Sequence, residues 1–289
     1  MKILIFGGTR FIGKILVEEL LKQGHEVTVA TRGKLPIIWD NVKFIAVERL
    51  SADSIKSNIP KTEYDVVYDN LVLSSAGVRD VLNCVNCKRY IMISTDGVYK
   101  NRHVNIFESE FDAAATPFEY VPYSKEIPYD TRKRFAESAL FQDFKKIPAV
   151  SVRLPVVLGK DDYTERLKFY VEKILSGQEF FCDNAAEIRP FVSAEDAGKF
   201  LAFLGDKNFN GAVNAASNAI SLEKIFNYIE KKSARQVKLN ENAVAAPFNG
   251  VSSYSLNTEL AKNLGFTFRN IDDWIFDLVD YYGSDEFGR

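Results

Sequence analysis

Along the first half of the chain, short apolar runs of strand length alternate with segments whose apolar residues recur every three or four positions. Lys2–Phe6 (KILIF) reads as a strand. A helix over Ile12–Gln23 follows it, with Ile12, Ile15, Leu16 and Leu20 on one face and Gly24 at its stop. Further strands are expected at Glu26–Ala30, Val42–Val47, Tyr64–Asp69 and Arg89–Ser94, the last two separated by only a short helix around Val78–Val85. A long polar and aromatic loop spans positions 100–128. A helix over Tyr129–Lys145 comes next, stopped before Pro148, and then a sixth strand, Ala149–Arg153. Near-continuous apolar strands alternating with helices predict an α/β chain whose doubly wound parallel sheet is covered on both faces.

Beyond Gly159 the alternation loosens. Helices are expected at Glu165–Leu175, Ala194–Leu204, Leu222–Lys231, Thr258–Leu264 and Ile271–Tyr281, with short strands near Phe191 and Val213. The division this predicts is a sheet domain over 1–158, with returning segments near 189–215, and a smaller, mixed and discontinuous lobe over 159–289.

The first strand ends in Gly7-Gly8-Thr9-Arg10-Phe11-Ile12-Gly13, and a helix begins inside that turn. Glycines let a backbone approach a pyrophosphate, and the free N–H groups of a helix start meet its charge, so the turn reads as the entry to a dinucleotide-binding Rossmann unit. Gly7, Thr9, Arg10, Phe11, Ile12 and Gly13 are the candidate contacts. The second strand runs into Thr31-Arg32-Gly33-Lys34, where an acidic residue would ordinarily accept the ribose hydroxyls of NAD. Arg10, Arg32 and Lys34 would instead attract a 2′-phosphate, which favours NADP over NAD.

Composition narrows the rest. Of 289 residues 46% are hydrophobic, and 37 Lys+Arg against 39 Asp+Glu leave a net charge of -2. Such a balance gives no general pull toward nucleic acid or an anionic membrane. No apolar run is long enough to span a bilayer, and the opening one is too short for a signal peptide. The cytoplasm is the default reading. Cys84 and Cys87 form a C-x-x-C, but with Cys182 remote and only His25 and His103 available no metal site is expected.

Three features carry candidate chemistry. The fifth strand ends in Ile93-Ser94-Thr95-Asp96-Gly97-Val98-Tyr99. Tyr129 and Lys133 lie one helical turn apart on a shared face, with Glu137 a turn further on. An ammonium beside a phenol favours the phenolate, which would make Tyr129 a usable acid or base, and the Thr95 hydroxyl can hold a substrate oxygen. Tyr228 and Lys232 repeat the spacing without the strand end before them; they read as a core aromatic and a solvated lysine. His103, Tyr120, Tyr123 and Lys125 read as loop residues that pack or contact substrate.

With these motifs the chain resembles the extended short-chain dehydrogenase/reductases of the NAD-dependent epimerase/dehydratase group. That resemblance implies an oxidoreductase or isomerase that works by Tyr/Lys-assisted hydride transfer on a nucleotide sugar or similar hydroxyl or carbonyl compound. It implies Thr95, Tyr129 and Lys133 as the catalytic set. Val152–Gly159 resembles the segment lining the nicotinamide, which implicates Pro155 and Val156. Asn70 falls at a cofactor position after the fourth strand, Asp96 at a substrate position, and Arg189 matches an arginine that contacts the substrate diphosphate. Ala212-Val213-Asn214 and Lys262–Phe266 resemble C-terminal landmarks, and a homodimer through the Tyr129–Lys145 helix is common in such folds.

A narrower similarity, carried by GGTRFIG, by Thr31–Ile37 and by the ending Phe287-Gly288-Arg289, is to the chloroplast stem-loop-binding proteins and their bacterial relatives. It implies an alternative, an RNA-binding or cofactor-sensing protein without turnover, against which Tyr129 and Lys133 weigh. Three departures stand out from the family pattern. Gly97 replaces the glutamate of sugar-nucleotide dehydratases, Glu48-Arg49-Leu50 replaces a Gly-Asp pair near the adenine, and Asp69-Asn70 replaces a histidine and alanine.

Overall fold

The computed structural model describes residues 1–284; Phe287-Gly288-Arg289 lie outside the described residues. The elements that place the site are strands β1 (Lys2–Phe6), β2 (Glu26–Thr31), β3 (Lys43–Ala46), β4 (Val66–Asp69), β5 (Tyr90–Thr95), β6 (Ala149–Leu154), β7 (Val156–Leu158), β8 (Ile188–Ser193), β9 (Gly211–Asn214) and β10 (Ala219–Ser221). The helices are α1 (Phe11–Lys22), α2 (Ala52–Asn58), α3 (Ser75–Cys84), α4 (Tyr129–Asp143), α5 (Arg166–Leu175), α6 (Ala194–Leu204), α7 (Leu222–Ser233), α8 (Glu259–Asn263) and α9 (Ile275–Gly283). Seven parallel strands form one sheet in the order β9-β6-β5-β4-β1-β2-β3. The order reverses between β1 and β4, and a dinucleotide crosses a doubly wound sheet outside the strand ends at such a switch point.

Two cores account for the sheet. One face buries Ile3, Ile5, Val27, Val29, Leu16, Leu20, Phe200 and Leu201 beneath α1 and α6. The other buries Leu4, Phe6, Val67, Met92, Val78, Val81 and Leu140 beneath α3 and α4. Strands β1 and β4 are therefore apolar at every interior position, as a sheet covered on both faces requires. A third cluster, around Tyr170, Phe180, Phe191, Phe226, Ile229 and Trp274, holds the C-terminal lobe together.

Differences from the sequence expectations are local. Gly211–Asn214 returns to the large sheet, but Ile188–Ser193 does not; it pairs with β7 and β10 in a separate three-stranded sheet. Helix α2 has no marked apolar stripe and was not foreseen; it buries only Ile55 and starts on a Ser51 cap. The Ile271–Tyr281 segment breaks into a short 3-10 turn, Ile271–Asp273, followed by α9. The two-residue strands Glu63–Tyr64 and Asn86–Cys87 pair beside the large sheet.

The 100–128 loop is a strap anchored at both ends of the fold. Arg153 on β6 is 1% exposed and bonds Glu137 of α4, 0% exposed, at 2.8 Å. Its remaining donors reach the carbonyls of Glu108 and Phe111 and the Tyr99 hydroxyl, at 2.8, 2.9 and 3.0 Å. Further along, Ser75 on α3 bonds the Glu119 carbonyl and the Val121 N–H, and Gln142 on α4 bonds the carbonyls of Ala113 and Thr116. Ser138, Ala139 and Leu140 of α4 are completely buried. The helix expected over Tyr129–Lys145 ends at Asp143.

Removing one partner of a buried, hydrogen-bonded ion pair strands the other. Glu137→Ala is expected to cost about 3–5 kcal/mol, read as a shift in urea-unfolding midpoint, and Glu137→Gln less. A loss below about 1 kcal/mol for Glu137→Ala would show the pair to be dispensable.

Candidate functional site

At the switch point Gly7 has φ +83°, a conformation that glycine adopts without strain. A Cβ on Gly13 would lie 2.0 Å from the Gly7 carbonyl oxygen, so the first and last glycines of the turn are in backbone contact. Phe11 is in the left-handed region at φ +48°, where a non-glycine residue is strained. Helix α1 starts without a side-chain cap, as α4, α5, α8 and α9 also do. The helices α2, α3, α6 and α7 are each capped by a serine side chain, from Ser51, Ser74, Ser193 and Ser221. Position Arg10, before α1, makes no such bond, and the first turn carries no acid.

Asn70 sits beside this start. Its Nδ2 donates to the Gly7 carbonyl at 3.0 Å, while its Oδ1 is buried without a partner. A glycine cradle, an uncapped helix start and an orphaned acceptor together suit a dinucleotide that brings both phosphate oxygens and donors. Arg10 lies over the Tyr163 ring at 5.6 Å, on the loop after β7. Thr31 caps the next turn, accepting from the Gly33 N–H at 3.2 Å, and Arg32 and Lys34 are exposed. Pro155 is buried and Val156 half-buried where β6 passes into β7.

The two departures after β3 and β4 prove to be one unit. Arg49 and Asp69 form a buried pair, with Arg49 Nε 3.0 Å from Asp69 Oδ2. Tyr90 donates to the same oxygen at 2.7 Å, Arg49 reaches the Gly77 carbonyl at 3.0 Å, and its guanidinium lies 5.4 Å from the Phe6 ring centre. Each unusual residue neutralises the other.

At the end of β5, Thr95 accepts from the Gly97 N–H at 3.1 Å and lies 3.3 Å from Asp96 Oδ1. Asp96 is 6% exposed, and Tyr254 of the C-terminal lobe donates to its Oδ2 at 2.7 Å. Arg102 approaches Oδ1 at 3.8 Å and lies over the Tyr254 ring. Burial raises the Asp96 carboxyl, against the pull of Arg102 and the hydrogen bonds of Tyr254 and Thr95. Lys133 is buried, donates to the Ile93 carbonyl at 2.7 Å and lies 5.8 Å from the Tyr129 ring centre. Burial brings its ammonium down to about 8.

The Tyr129 phenol departs from expectation. Although the residue as a whole is 45% exposed, burial of the hydroxyl and the charges of Asp130 and Asp96 push it up to about 12, against a Thr95 hydrogen bond and Arg132. The lowering expected from Lys133 is outweighed by burial and by the two carboxylates.

Not every candidate converges here. Arg189 lies in the C-terminal lobe, 2% exposed, with its terminal nitrogens on the carbonyls of Phe248 and Asn184 at 2.7 and 3.1 Å. Only its Nε lacks a partner, so the diphosphate role is reduced to one donor. Tyr228 and Lys232 form a surface group with Asp280, and Tyr228 packs on Phe276. His103 pairs with Glu110 at 2.6 Å, and Tyr120 with Asp143 at 2.6 Å. Burial raises the Cys87 thiol to about 12 and raises Cys84 as well, which keeps both protonated. A cleft of about 440 Å³ opens between Phe11, Gly159, Ala194, Arg269 and Trp274, and Thr95, Asp96, Tyr129 and Lys133 do not line it. Tyr254, Arg102 and Asp130 escaped the sequence reading. Tyr254 lies 158 residues from Asp96, with no local motif to mark it.

This arrangement is that of a Rossmann protein with a strand-end threonine and a Tyr-x-x-x-Lys helix. The chain belongs to the NAD dependent epimerase/dehydratase family, whose model matches residues 3–80 and 68–219. It is 26% identical to the chloroplast stem-loop binding protein of 41 kDa b from Arabidopsis thaliana, over 71% of this chain and 56% of that protein. The chain thus matches little more than half of that relative's length. It is 22% identical to a CDP-abequose synthase from Salmonella muenchen, over 92% of each. Its fold matches that of a UDP-glucuronic acid 4-epimerase from Bacillus cereus in complex with UDP-glucuronic acid and NAD. There the TM-score is 0.73 at 18% identity, over 98% of this chain and 99% of that one. Among the described residues no helix is long and apolar enough to cross a membrane.

Because a Cβ on Gly13 cannot fit beside the Gly7 carbonyl, Gly13→Ala must displace the turn. The expected cost is about 1–3 kcal/mol, seen as a lower melting temperature. An unchanged melting temperature would show that the turn yields freely.

Proposed function

We propose that this protein is an NAD(P)-dependent enzyme that transfers hydride at a hydroxyl or carbonyl carbon of a nucleotide sugar or similar compound. The observation that carries this reading is the convergence of Thr95, from β5, with Tyr129 and Lys133, from α4, at the strand ends where the glycine turn also lies. Membership of the family and the nucleotide-sugar names of its relatives support the substrate class.

In this reading, Gly7, Thr9, Phe11, Ile12 and Gly13 hold the pyrophosphate through their backbone and the uncapped α1 start. Asn70 meets the dinucleotide through its free Oδ1, and Pro155 and Val156 wall the nicotinamide. When bound, the dinucleotide supplies the hydride chemistry. Thr95 holds the substrate oxygen. Tyr129 exchanges a proton with it, and Lys133, fixed by the Ile93 carbonyl, orients the ring and the cofactor beside it. Asp96 offers a buried polar contact to the sugar, and Arg189 one donor to a diphosphate. Arg32 and Lys34 make no ion pair among the described residues, which suits a 2′-phosphate and hence NADP.

Titration with NADP and NAD is expected to raise the melting temperature, more with NADP. Stabilisation by neither would remove the cofactor reading. The double variant Arg32→Ala/Lys34→Ala is expected to weaken NADP roughly ten-fold or more while leaving NAD little changed; equal losses for both would remove the 2′-phosphate argument. With a turned-over nucleotide sugar, Tyr129→Phe should lower kcat about 10²–10⁴-fold with dinucleotide binding intact. A variant as active as the parent would rule out Tyr129 as the acid/base.

A further inference from the structure

Gly97 leaves a notch beside the catalytic strand end, and the notch is filled from another element. Asp130 Oδ1 lies 2.2 Å from the place a Cβ on Gly97 would occupy. Where a side chain at position 97 would point, a carboxylate from α4 stands instead. Asp130 is exposed and has neither a hydrogen bond nor an ion pair among the described residues. Its charge nevertheless acts on Asp96 and Tyr129. The two carboxylates come from different elements, Asp96 buried against Tyr254 and Asp130 exposed, and the charge of each acts on the Tyr129 phenol.

We propose that Asp130 is a positioning residue of this site: docked in the Gly97 notch, its carboxylate stands with Asp96 beside Tyr129 and favours the hydroxyl form, the form that gives its proton to a ketone oxygen. This rests on the hydride-transfer reading given above. The groups that face Tyr129 are few. Thr95 and Asp96 come from the end of β5, and Arg102 lies behind Asp96. Asp130, Arg132 and Lys133 come from α4, and Arg134 interacts with Asp130. Thr95 and Arg132 favour the phenolate, whereas the two carboxylates oppose it. In the reducing step the carbonyl carbon accepts hydride, with its electron pair, from NADPH, and the carbonyl π pair moves onto oxygen. Tyr129 gives that oxygen its proton. The ketone becomes a secondary alcohol, the dinucleotide is oxidised, and the phenolate left on Tyr129 recovers a proton from water at the mouth.

The test is an NMR titration of protein labelled with ¹³C at the tyrosine Cζ, the Tyr129 signal being assigned by its loss in Tyr129→Phe. In the parent chain Tyr129 should remain a phenol at pH 8, both free and with NADPH bound. At pH 10.5 its ionised fraction should rise about three- to ten-fold in Asp130→Asn. Gly97→Ala, which keeps the carboxylate but evicts it from the notch, should move the fraction the same way. A fraction unchanged in Asp130→Asn, or a Tyr129 phenolate at pH 8 with NADPH bound, would overturn the proposal. Occupancy is read separately from the melting temperature: no shift with NADPH would sink the hydride-transfer reading, and the response to Asp130→Asn would still decide the role of Asp130.

Discussion

The arrangement depends on one buried ion pair, Glu137 with Arg153. It joins the middle of α4 to β6 and so fixes the height of the helix that carries Tyr129 and Lys133. The pair is fully desolvated, a situation that is stable only when every remaining donor and acceptor is met. Ser94 meets Glu137 from β5, and Tyr99, Glu108 and Phe111 meet Arg153 from the strap. Tyr99 in turn donates to Asn214 on β9, whose amide holds Ile106 and Asn257. One electrostatic requirement thus orders an otherwise irregular stretch of chain and locks it to both edges of the site.

The same economy governs the cofactor end. An arginine and an aspartate, each anomalous alone, are bound to each other beneath the strand ends, while the helix start above them is left uncapped. Charge is satisfied where it is buried. The α1 start, the Asn70 Oδ1 and the exposed Arg32 and Lys34 are left open.

Much of this was legible in the sequence, for a physical reason. Strands buried on both faces are largely apolar, so KILIF and RYIMIS announce themselves, and a glycine turn between strand and helix marks the first crossover. The helix α4 was legible from its Tyr129–Lys133 spacing, although its faces are too mixed in polarity to reveal which one its own chain covers. What could not be read were contacts without a local signature. Arg49 with Asp69, Asp96 with Tyr254, and Asp130 in the Gly97 notch are set by tertiary packing across 20, 158 and 33 positions. The expected lowering of the Tyr129 phenol failed for the same reason. Spacing showed the lysine, but not that burial had weakened it or that two carboxylates stood opposite.

The seam between the strap and residues 254–257 bears on how the molecule comes into being. Asn105 and Ile106 bond Ser255, Asn257 bonds Ile106, and Tyr254 closes on Asp96, all across some 150 positions. Contacts of such separation bear a heavy loop-closure cost and form late. The glycine turn lies within the first strand-to-helix unit, whereas the wall behind Asp96 waits for residues 254–257. The surroundings of Asp96 are thus completed by residues remote in the chain, and their assembly follows that of the sheet they border.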